Sequence, residues 1–204
     1  MLTTVFGFIV LIFSIVIHEV AHGSVALSLG DRTAKEQGRL SLNPIKHIDL
    51  VGTILLPLFI YITNVTTKSM VPIIGWAKPV PVNPFNFRDQ KWGNLKVSLA
   101  GPAANFLVAL VFGLSLRFLN LPQQTQFFFS MVVFYNILLA FFNLVPIPPL
   151  DGSHILFSIL PESLSNIKFF LSRYSVFLLL AFILWGLGPI YNLTNIVSFL
   201  IIGR

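Results

Sequence analysis

Long uncharged apolar runs dominate this sequence and determine what the chain can fold into. Residues 1–30 contain no Lys, Arg or Asp, and residues 97–116 and 127–145 contain no charged side chain at all. As helices, runs of this length span about 30 Å of hydrocarbon. Charged residues make up only 10% of the chain, whereas a soluble domain carries about 25%. The sequence therefore predicts that the apolar runs lie in a lipid bilayer.

Glycine and proline divide the remaining apolar stretches. Residues 50–67 are apolar but contain Gly52 and Pro57, and the run at 127–145 ends at Pro146, where a helix should stop. Glycines and a proline near residue 188 predict a break between a spanning helix and a short C-terminal one. We expect an all-α polytopic membrane protein with about four transmembrane helices plus a re-entrant or interfacial segment. A small β-element after the first helix is a further option.

The basic residues lie in loops between the apolar runs, which indicates membrane orientation rather than nucleic-acid binding. The loop at 31–49 carries four Lys or Arg residues and the region at 64–96 carries five. If residues 50–67 crossed the bilayer, these two regions would lie on opposite sides. A segment that enters and returns, or lies at the interface, keeps both in the cytoplasm. The N-terminus is then predicted to lie outside.

Two of the seven acidic residues, Glu19 and Asp151, adjoin apolar runs, where an ionised group is costly. Glu19 lies in the pattern His18-Glu19-x-x-His22. On a helix, positions four apart share a face, so both imidazoles can bind one metal ion while Glu19 holds a water beside it. A buried polar cluster between helices, or part of an ion pathway, is the alternative.

A third metal ligand must come from elsewhere, and the chain has no cysteine. Asp151 is favoured, because it follows a proline-rich turn beside apolar helices and its carboxylate needs a cation or several donors. Capping of a helix that begins near Ser153 is the structural alternative for Asp151. His154 is interpreted as a supporting or interfacial residue, and His47 as a solvated surface histidine.

Two histidines and one carboxylate are the ligands of a catalytic zinc site with an open fourth position. We expect one zinc ion per chain. Zinc there would polarise a substrate carbonyl and activate water, while Glu19 would take a proton and deliver it to the leaving amine. Serine catalysis has no comparable support, because the chain contains no Gly-x-Ser-x-Gly sequence.

Five motifs occur along the chain in a fixed order. They are HEVAHG (18–23), GRLSLNP (38–44), GWAKPVPVNP (75–84), AGPAAN (100–105) and NLVPIPPLDG (143–152). With these motifs the chain resembles the site-2 proteases, the intramembrane zinc metalloproteases, in a short form without a PDZ or CBS domain. The resemblance covers nearly the full length and implies a single intramembrane metalloprotease domain over residues 1–204.

The resemblance also implies residue roles. His18, His22 and Asp151 would bind zinc, and Glu19 would be the catalytic base. Asn143 and Asn105 match family asparagines, which predicts that they contact the substrate or a developing oxyanion. The alternative for both asparagines is that they satisfy backbone groups freed near a proline.

By this resemblance the chain would cut membrane proteins within or next to a transmembrane helix. The expected setting is the lipid bilayer of a bacterial plasma membrane, with the site toward the cytoplasm and with regulation by a membrane partner. No nucleic acid is expected. An ion transporter that uses the same polar groups, and an inactive homologue that only binds membrane helices, are the alternative functions.

Overall fold

A computed structural model describes residues 2–68 and 75–203, and its regular structure is helical. In chain order the helices are α1 (Leu2–Ser28), α2 (Thr33–Glu36), α3 (Leu56–Thr67), α4 (Gly93–Phe118), α5 (Gln123–Asn143), α6 (Asp151–Ile159), α7 (Ser165–Arg173), α8 (Ser175–Ala181) and α9 (Leu187–Ile202). π-Helical stretches, Leu50–Leu55 and Phe182–Gly186, lead into α3 and α9. The described residues contain no strand. The region after α1, for which a small β-element was an alternative, consists of turns, short helices and extended chain.

Five helical segments are apolar and long enough to cross a membrane. They are Leu2–Ser28, Leu50–Thr67, Gly93–Phe118, Gln123–Asn143 and Ser175–Ile202. Helices suit lipid because they satisfy every backbone hydrogen bond within the segment. The prediction of an all-α polytopic membrane protein is confirmed.

The core of the molecule is an antiparallel bundle of α1, α4, α5 and α9. Val97 of α4 lies beside His22 of α1, and Asn105 lies farther along α4 beside Ser14. These two contacts show that α4 runs antiparallel to α1. Between α4, α5 and α9 the packing is apolar, with Ala109, Leu116, Val133 and Ile137 fully or almost fully buried.

The C-terminal helical segment is continuous from Ser175 to Ile202, so the break predicted near residue 188 is wrong. The π-helical stretch that ends at Gly186 absorbs the irregularity. Pro189 lies in the first turn of α9, directly after this stretch, and the widened π-helical turn accommodates a residue that has no N–H to donate.

The segment that contains α3 leaves the loop region and returns to it. The Trp76 N–H donates to the Gly52 carbonyl at 3.1 Å, and the Thr53 hydroxyl donates to the Trp76 carbonyl at 2.8 Å. The two ends of the excursion therefore meet on one side of the bundle, and α3 itself has no buried residue. This arrangement agrees with a re-entrant or interfacial segment rather than a simple crossing.

The loops at the C-terminal end of α1 are held together by the carboxylate of Asp31, which is 0% exposed. One oxygen accepts from the Thr33 N–H and hydroxyl and from the Asn86 amide, and the other accepts from the Asn83 N–H at 2.7 Å. Burial would raise the pKa of Asp31, but the bonds from Thr33, Asn83 and Asn86 hold this pKa below its ordinary value. Residues 83–86 are thereby tied to the end of α1.

We expect Asp31→Asn to lower the free energy of unfolding by about 1–3 kcal/mol near neutral pH, because an amide cannot accept all four bonds. The folded pKa lies below the ordinary value of 3.8. The advantage of the parent is therefore complete above that pH and shrinks as the pH falls through the folded pKa.

Thermal unfolding in detergent micelles at several pH values measures this difference. Glu36→Gln is the matched control, because Glu36 is an exposed acid in the same loop region. Coincident unfolding midpoints for the parent and Asp31→Asn at neutral pH would contradict the assigned role.

Candidate metal centre

Three predicted ligands meet where α1 faces α4 and the start of α6. The Nε2 atoms of His18 and His22 lie 3.0 Å apart, and Oδ2 of Asp151 lies 3.1 and 3.2 Å from them. Both histidines are buried and Asp151 is largely buried. The structure thus brings His18, His22 and Asp151 into one group that could hold a metal ion.

Hydrogen bonds on the far side of each ring fix the tautomer of both histidines. Nδ1 of His18 donates to Oδ1 of Asn105 at 2.7 Å, and Nδ1 of His22 donates to the Val97 carbonyl at 2.7 Å. Because a carbonyl oxygen only accepts, each neutral ring carries its proton on Nδ1. Both Nε2 lone pairs therefore face the carboxylate, as metal ligation requires.

The donor set fits a zinc ion. Two nitrogen lone pairs and Oδ2 of Asp151 converge, and this oxygen is buried without a hydrogen-bond donor among the described residues. Buried acceptors that face one another need a cation between them. Bonds of about 2.0–2.1 Å at tetrahedral angles place ligand atoms about 3.3 Å apart, close to the separations observed here.

Gly101 of α4 provides the room for this cluster. A Cβ atom at this position would lie 2.5 Å from Cε1 of His18 and 2.5 Å from Nε2 of His22. Only glycine allows the α4 backbone to come this close to both rings. The need for space beside the two imidazoles therefore explains the glycine in the Ala-Gly-Pro-x-x-Asn sequence of α4.

A tight turn delivers Asp151 to the histidines. Gly152 packs against the backbone of Leu144, where a Cβ would lie 2.1 Å from the carbonyl oxygen. Both the N–H and the hydroxyl of Ser153 donate to the Leu150 carbonyl, at 3.0 and 2.7 Å. Leu150 occupies the cap position of α6 and Asp151 is the first helical residue. The alternative of Asp151 as a helix cap is therefore wrong.

Glu19 lies beside the cluster on the adjoining face of α1. Its Oε2 accepts the Val80 N–H at 2.7 Å, and the Val80 side chain is buried against the helix at Gly23. This bond fixes the carboxylate through one oxygen. The extended chain around Val80 is thus part of the site.

Asn105 does not face a substrate space, which corrects the prediction that it contacts substrate or an oxyanion. Asn105 is 0% exposed, and its Nδ2 donates to the Ser14 carbonyl at 3.1 Å and to Oδ1 of Asn136 at 2.9 Å. With Oδ1 occupied by His18, the amide has no hydrogen left for another ligand. Asn105 instead orients His18.

Asn136 is a supporting residue that the sequence reasoning missed. It is 1% exposed, and its Nδ2 donates to the Val132 carbonyl at 2.9 Å, which aims Oδ1 at Asn105. The side-chain amides of Asn136 and Asn105 are therefore both held in one orientation, and this series of hydrogen bonds ends at His18. An amide in the middle of an apolar spanning run was the available signal, because it must find a partner within the bundle.

The other predicted positions differ in exposure. Asn143, the last residue of α5, is half-buried and donates to the Leu139 carbonyl at 2.9 Å. His154 is exposed on α6. His47 is only 2% exposed, because its ring Nε2 donates to the Ser41 carbonyl within a folded loop, so its interpretation as a surface histidine is wrong.

We expect Gly101→Ala to abolish stoichiometric zinc binding, because the added methyl group would displace both imidazoles. Gly188→Ala is the matched control, since a Cβ there has open space around it. Metal content after purification and thermal unfolding are measured for both variants. Full zinc occupancy in a folded Gly101→Ala protein would contradict this geometry.

We expect Asn136→Leu to weaken zinc affinity by about 10- to 100-fold, because His18 loses the support that orients its ring. Competition with a chelator measures the affinity. Thr194→Val is the control, because Thr194 is also fully buried but donates only within its own helix, to Ile190. An equal loss in both variants would indicate general destabilisation instead.

Comparison with known proteins places the chain among metalloproteases. The sequence pattern of Peptidase family M50 matches residues 120–185. The chain is 39% identical over 163 residues to "Putative zinc metalloprotease YwhC" of Bacillus subtilis, covering 75% of the chain and 68% of that relative. It is 31% identical over 144 residues to "Putative zinc metalloprotease Rip2" of Mycolicibacterium smegmatis, covering 69% of the chain and 52% of the relative.

A further relative is archaeal, and no solved structure matches the chain. Zinc metalloprotease MJ0392 of Methanocaldococcus jannaschii is 26% identical over 161 residues, which cover 79% of the chain but 36% of the relative. The extent and identity of the Bacillus match, together with the converging histidines and carboxylate, identify the family. The chain belongs to peptidase family M50, the zinc metallopeptidases of the site-2 protease type.

Proposed function

We propose that this protein is an intramembrane zinc endopeptidase that hydrolyses peptide bonds within or next to transmembrane segments of membrane proteins. The observation that carries the proposal is the convergence of His18, His22 and Asp151 between apolar helices, with Glu19 beside them. A ligand cluster at this depth can reach bonds that lie in the bilayer.

The roles of the side chains follow from their fixed atoms. His18 and His22 would hold one zinc ion through Nε2, and Asp151 through Oδ2. When bound, zinc supplies Lewis-acid chemistry, polarising a carbonyl and acidifying a water. Glu19, anchored through Oε2 to Val80, would take the water proton on its other oxygen and deliver it to the nitrogen of the leaving amine.

Asn143 is the proposed polar contact for the substrate backbone. One hydrogen of its Nδ2 is used by the Leu139 carbonyl, which leaves a second N–H to donate. Asn143 ends α5 just before the turn that carries Asp151. Its location supports a contact with the peptide that is cleaved.

Substrates of this class are membrane proteins with a transmembrane helix, presented within the lipid bilayer. Helical carbonyls are occupied by hydrogen bonds to the following turn, so the segment must unwind before its backbone can be attacked. A regulatory membrane partner that presents or withholds such segments fits this requirement.

The orientation of the basic residues supports a cytoplasmic position for the site. The loop at 31–49 and the region at 75–96 together carry eight Lys or Arg residues, on the side of the bundle where α1 ends near the cluster, as expected for cytoplasmic loops. The relatives from Bacillus subtilis and Mycolicibacterium smegmatis are bacterial, which supports our proposal of a bacterial plasma membrane as the location.

We expect Glu19→Gln to reduce peptide-bond cleavage at least about 10²-fold, the range for loss of a general base, while zinc remains bound. Asp151→Ala should lose zinc. Glu162→Gln is the control, because Glu162 is an exposed acid away from the cluster. Cleavage of a single-span membrane peptide and metal content are measured in parallel.

Cleavage by Glu19→Gln at the parental rate would refute the proposed mechanism. Cleavage absent from the parent itself would favour the inactive homologue. Zinc retained at full occupancy in Asp151→Ala would remove that residue from the ligand set.

A further inference from the structure

Hydrogen bonds to the backbone make neighbours of three basic residues in the loops beyond the C-terminal end of α1. Arg39 donates from one guanidinium nitrogen to the Lys78 carbonyl at 2.8 Å. The Lys78 N–H donates to the His47 carbonyl at 2.9 Å, and Nζ of Lys46 donates to the Gly38 carbonyl at 3.0 Å. We call Arg39, Lys46 and Lys78 the basic triad. Two loops that are distant in the sequence contribute to it, so the fold assembles this group.

Arg39 carries the charge in the triad that most needs a partner. It is only 8% exposed, and its Nε is buried with no hydrogen-bond acceptor among the described residues. Its hydrogen bonds go to the carbonyl oxygens of Lys78 and Pro79, which carry no net charge. A buried cation is costly unless an anion pairs with it. Arg39 therefore has both an unmet N–H donor and an unmet charge.

The described part of the chain supplies no anion for the triad. None of the ion pairs formed by the described residues includes a member of the triad. The acids nearby in the sequence have other surroundings, because Oδ1 of Asp49 accepts the N–H groups of residues 51 and 52, and Glu36 is exposed. An anion from another molecule is the partner that these charges favour.

Exposed apolar side chains beside the triad indicate which kind of anion fits. Leu42 and Ile45 lie between Arg39 and Lys46 in the chain and are 60% and 72% exposed. With 27 residues, α1 is about 40 Å long, which matches a bilayer with its headgroup regions. The loops that follow α1 therefore lie near the lipid phosphates. A phospholipid offers a phosphate to the cations and acyl chains to the apolar side chains, whereas a free phosphate ion offers only the charge.

We propose that the basic triad binds the phosphate of an anionic phospholipid in the cytoplasmic leaflet. Arg39 pairs with the phosphate oxygens, because a guanidinium group is planar, always charged and suited to phosphate. Lys46 and Lys78 add charge at the exposed edge, and the acyl chains lie over Leu42 and Ile45. The lipid supplies the missing counterion of Arg39 and thereby stabilises the loops that Arg39 joins.

Native mass spectrometry of the full chain in detergent tests the site. Phosphatidylglycerol, phosphatidylcholine or inorganic phosphate is added as the probe. The triad variant is Lys46→Gln/Lys78→Gln, which removes two exposed charges and keeps the buried Arg39. The matched control is Arg32→Gln/Lys35→Gln, because it removes the same charge from two exposed residues of the same loop region that lie outside the triad.

We expect the parent to retain one phosphatidylglycerol per chain, with an affinity at least about tenfold above that for phosphatidylcholine. The triad variant should bind phosphatidylglycerol at least about tenfold more weakly, and the control variant less than about twofold more weakly. Equal losses in the two variants would indicate attraction by diffuse surface charge and overturn the proposal. Equal affinities for the two lipids, or binding of inorganic phosphate as tight as that of phosphatidylglycerol, would overturn it as well.

Thermal unfolding with and without added lipid tests the buried charge itself. A ligand that binds the folded state raises the unfolding midpoint, so phosphatidylglycerol should raise the midpoint of the parent and phosphatidylcholine should not. The rise should be lost in Arg39→Gln and in the triad variant, which keeps Arg39 and its bonds to the backbone. A full rise in Arg39→Gln would remove this residue from the site. Neither measurement uses peptide cleavage, so the result is independent of the proposed protease function.

Discussion

The close approach of the α4 backbone to two imidazoles at Gly101 is the contact on which the site depends. It brings Val97 and Asn105 within hydrogen-bonding distance of the outer nitrogens of both rings. It also leaves the inner nitrogens facing Asp151. In a bilayer this geometry cannot be replaced by water, because each polar group must find its partner inside the protein. A single methyl group at this crossing would separate the helices and the ligands together.

The lipid-embedded bundle and the polar loops position different parts of the site. The bundle fixes His18 and His22 through α1, α4 and α5. The loops fix the base, because Asp31 ties residues 83–86 to the end of α1, and Arg39 donates to the carbonyls of Lys78 and Pro79 at 2.8 and 3.2 Å. These bonds hold Val80 against Glu19. Ligation and proton transfer thus depend on separate structural units that meet at residues 18–22.

The features that the sequence predicts are those encoded by local spacing or by scarcity of charge. The spanning helices follow from uncharged runs, the pairing of His18 with His22 follows from helical periodicity, and Asp151 stands out because few acids adjoin apolar runs. The role of Asn105 depends on the register between α4 and α1, which no local pattern encodes. The fold encloses the ring of His47 although its sequence neighbours are polar, so the polarity of the neighbours does not predict its burial. The continuity of the C-terminal helix depends on a widened turn before Pro189, which overrides the usual effect of proline.

The two outward hydrogen bonds of the histidines have a consequence for metal selection. Both rings are held in position and in one tautomer by the packing of α1 on α4, so binding an ion costs little conformational freedom. The atoms that would bind the metal ion are two nitrogens and one oxygen. Magnesium and calcium prefer oxygen ligands and larger coordination shells, so this rigid set of three disfavours both of these ions. The hydrogen-bonded amides of Asn105 and Asn136 therefore contribute to discrimination between metals as well as to the position of the His18 ring.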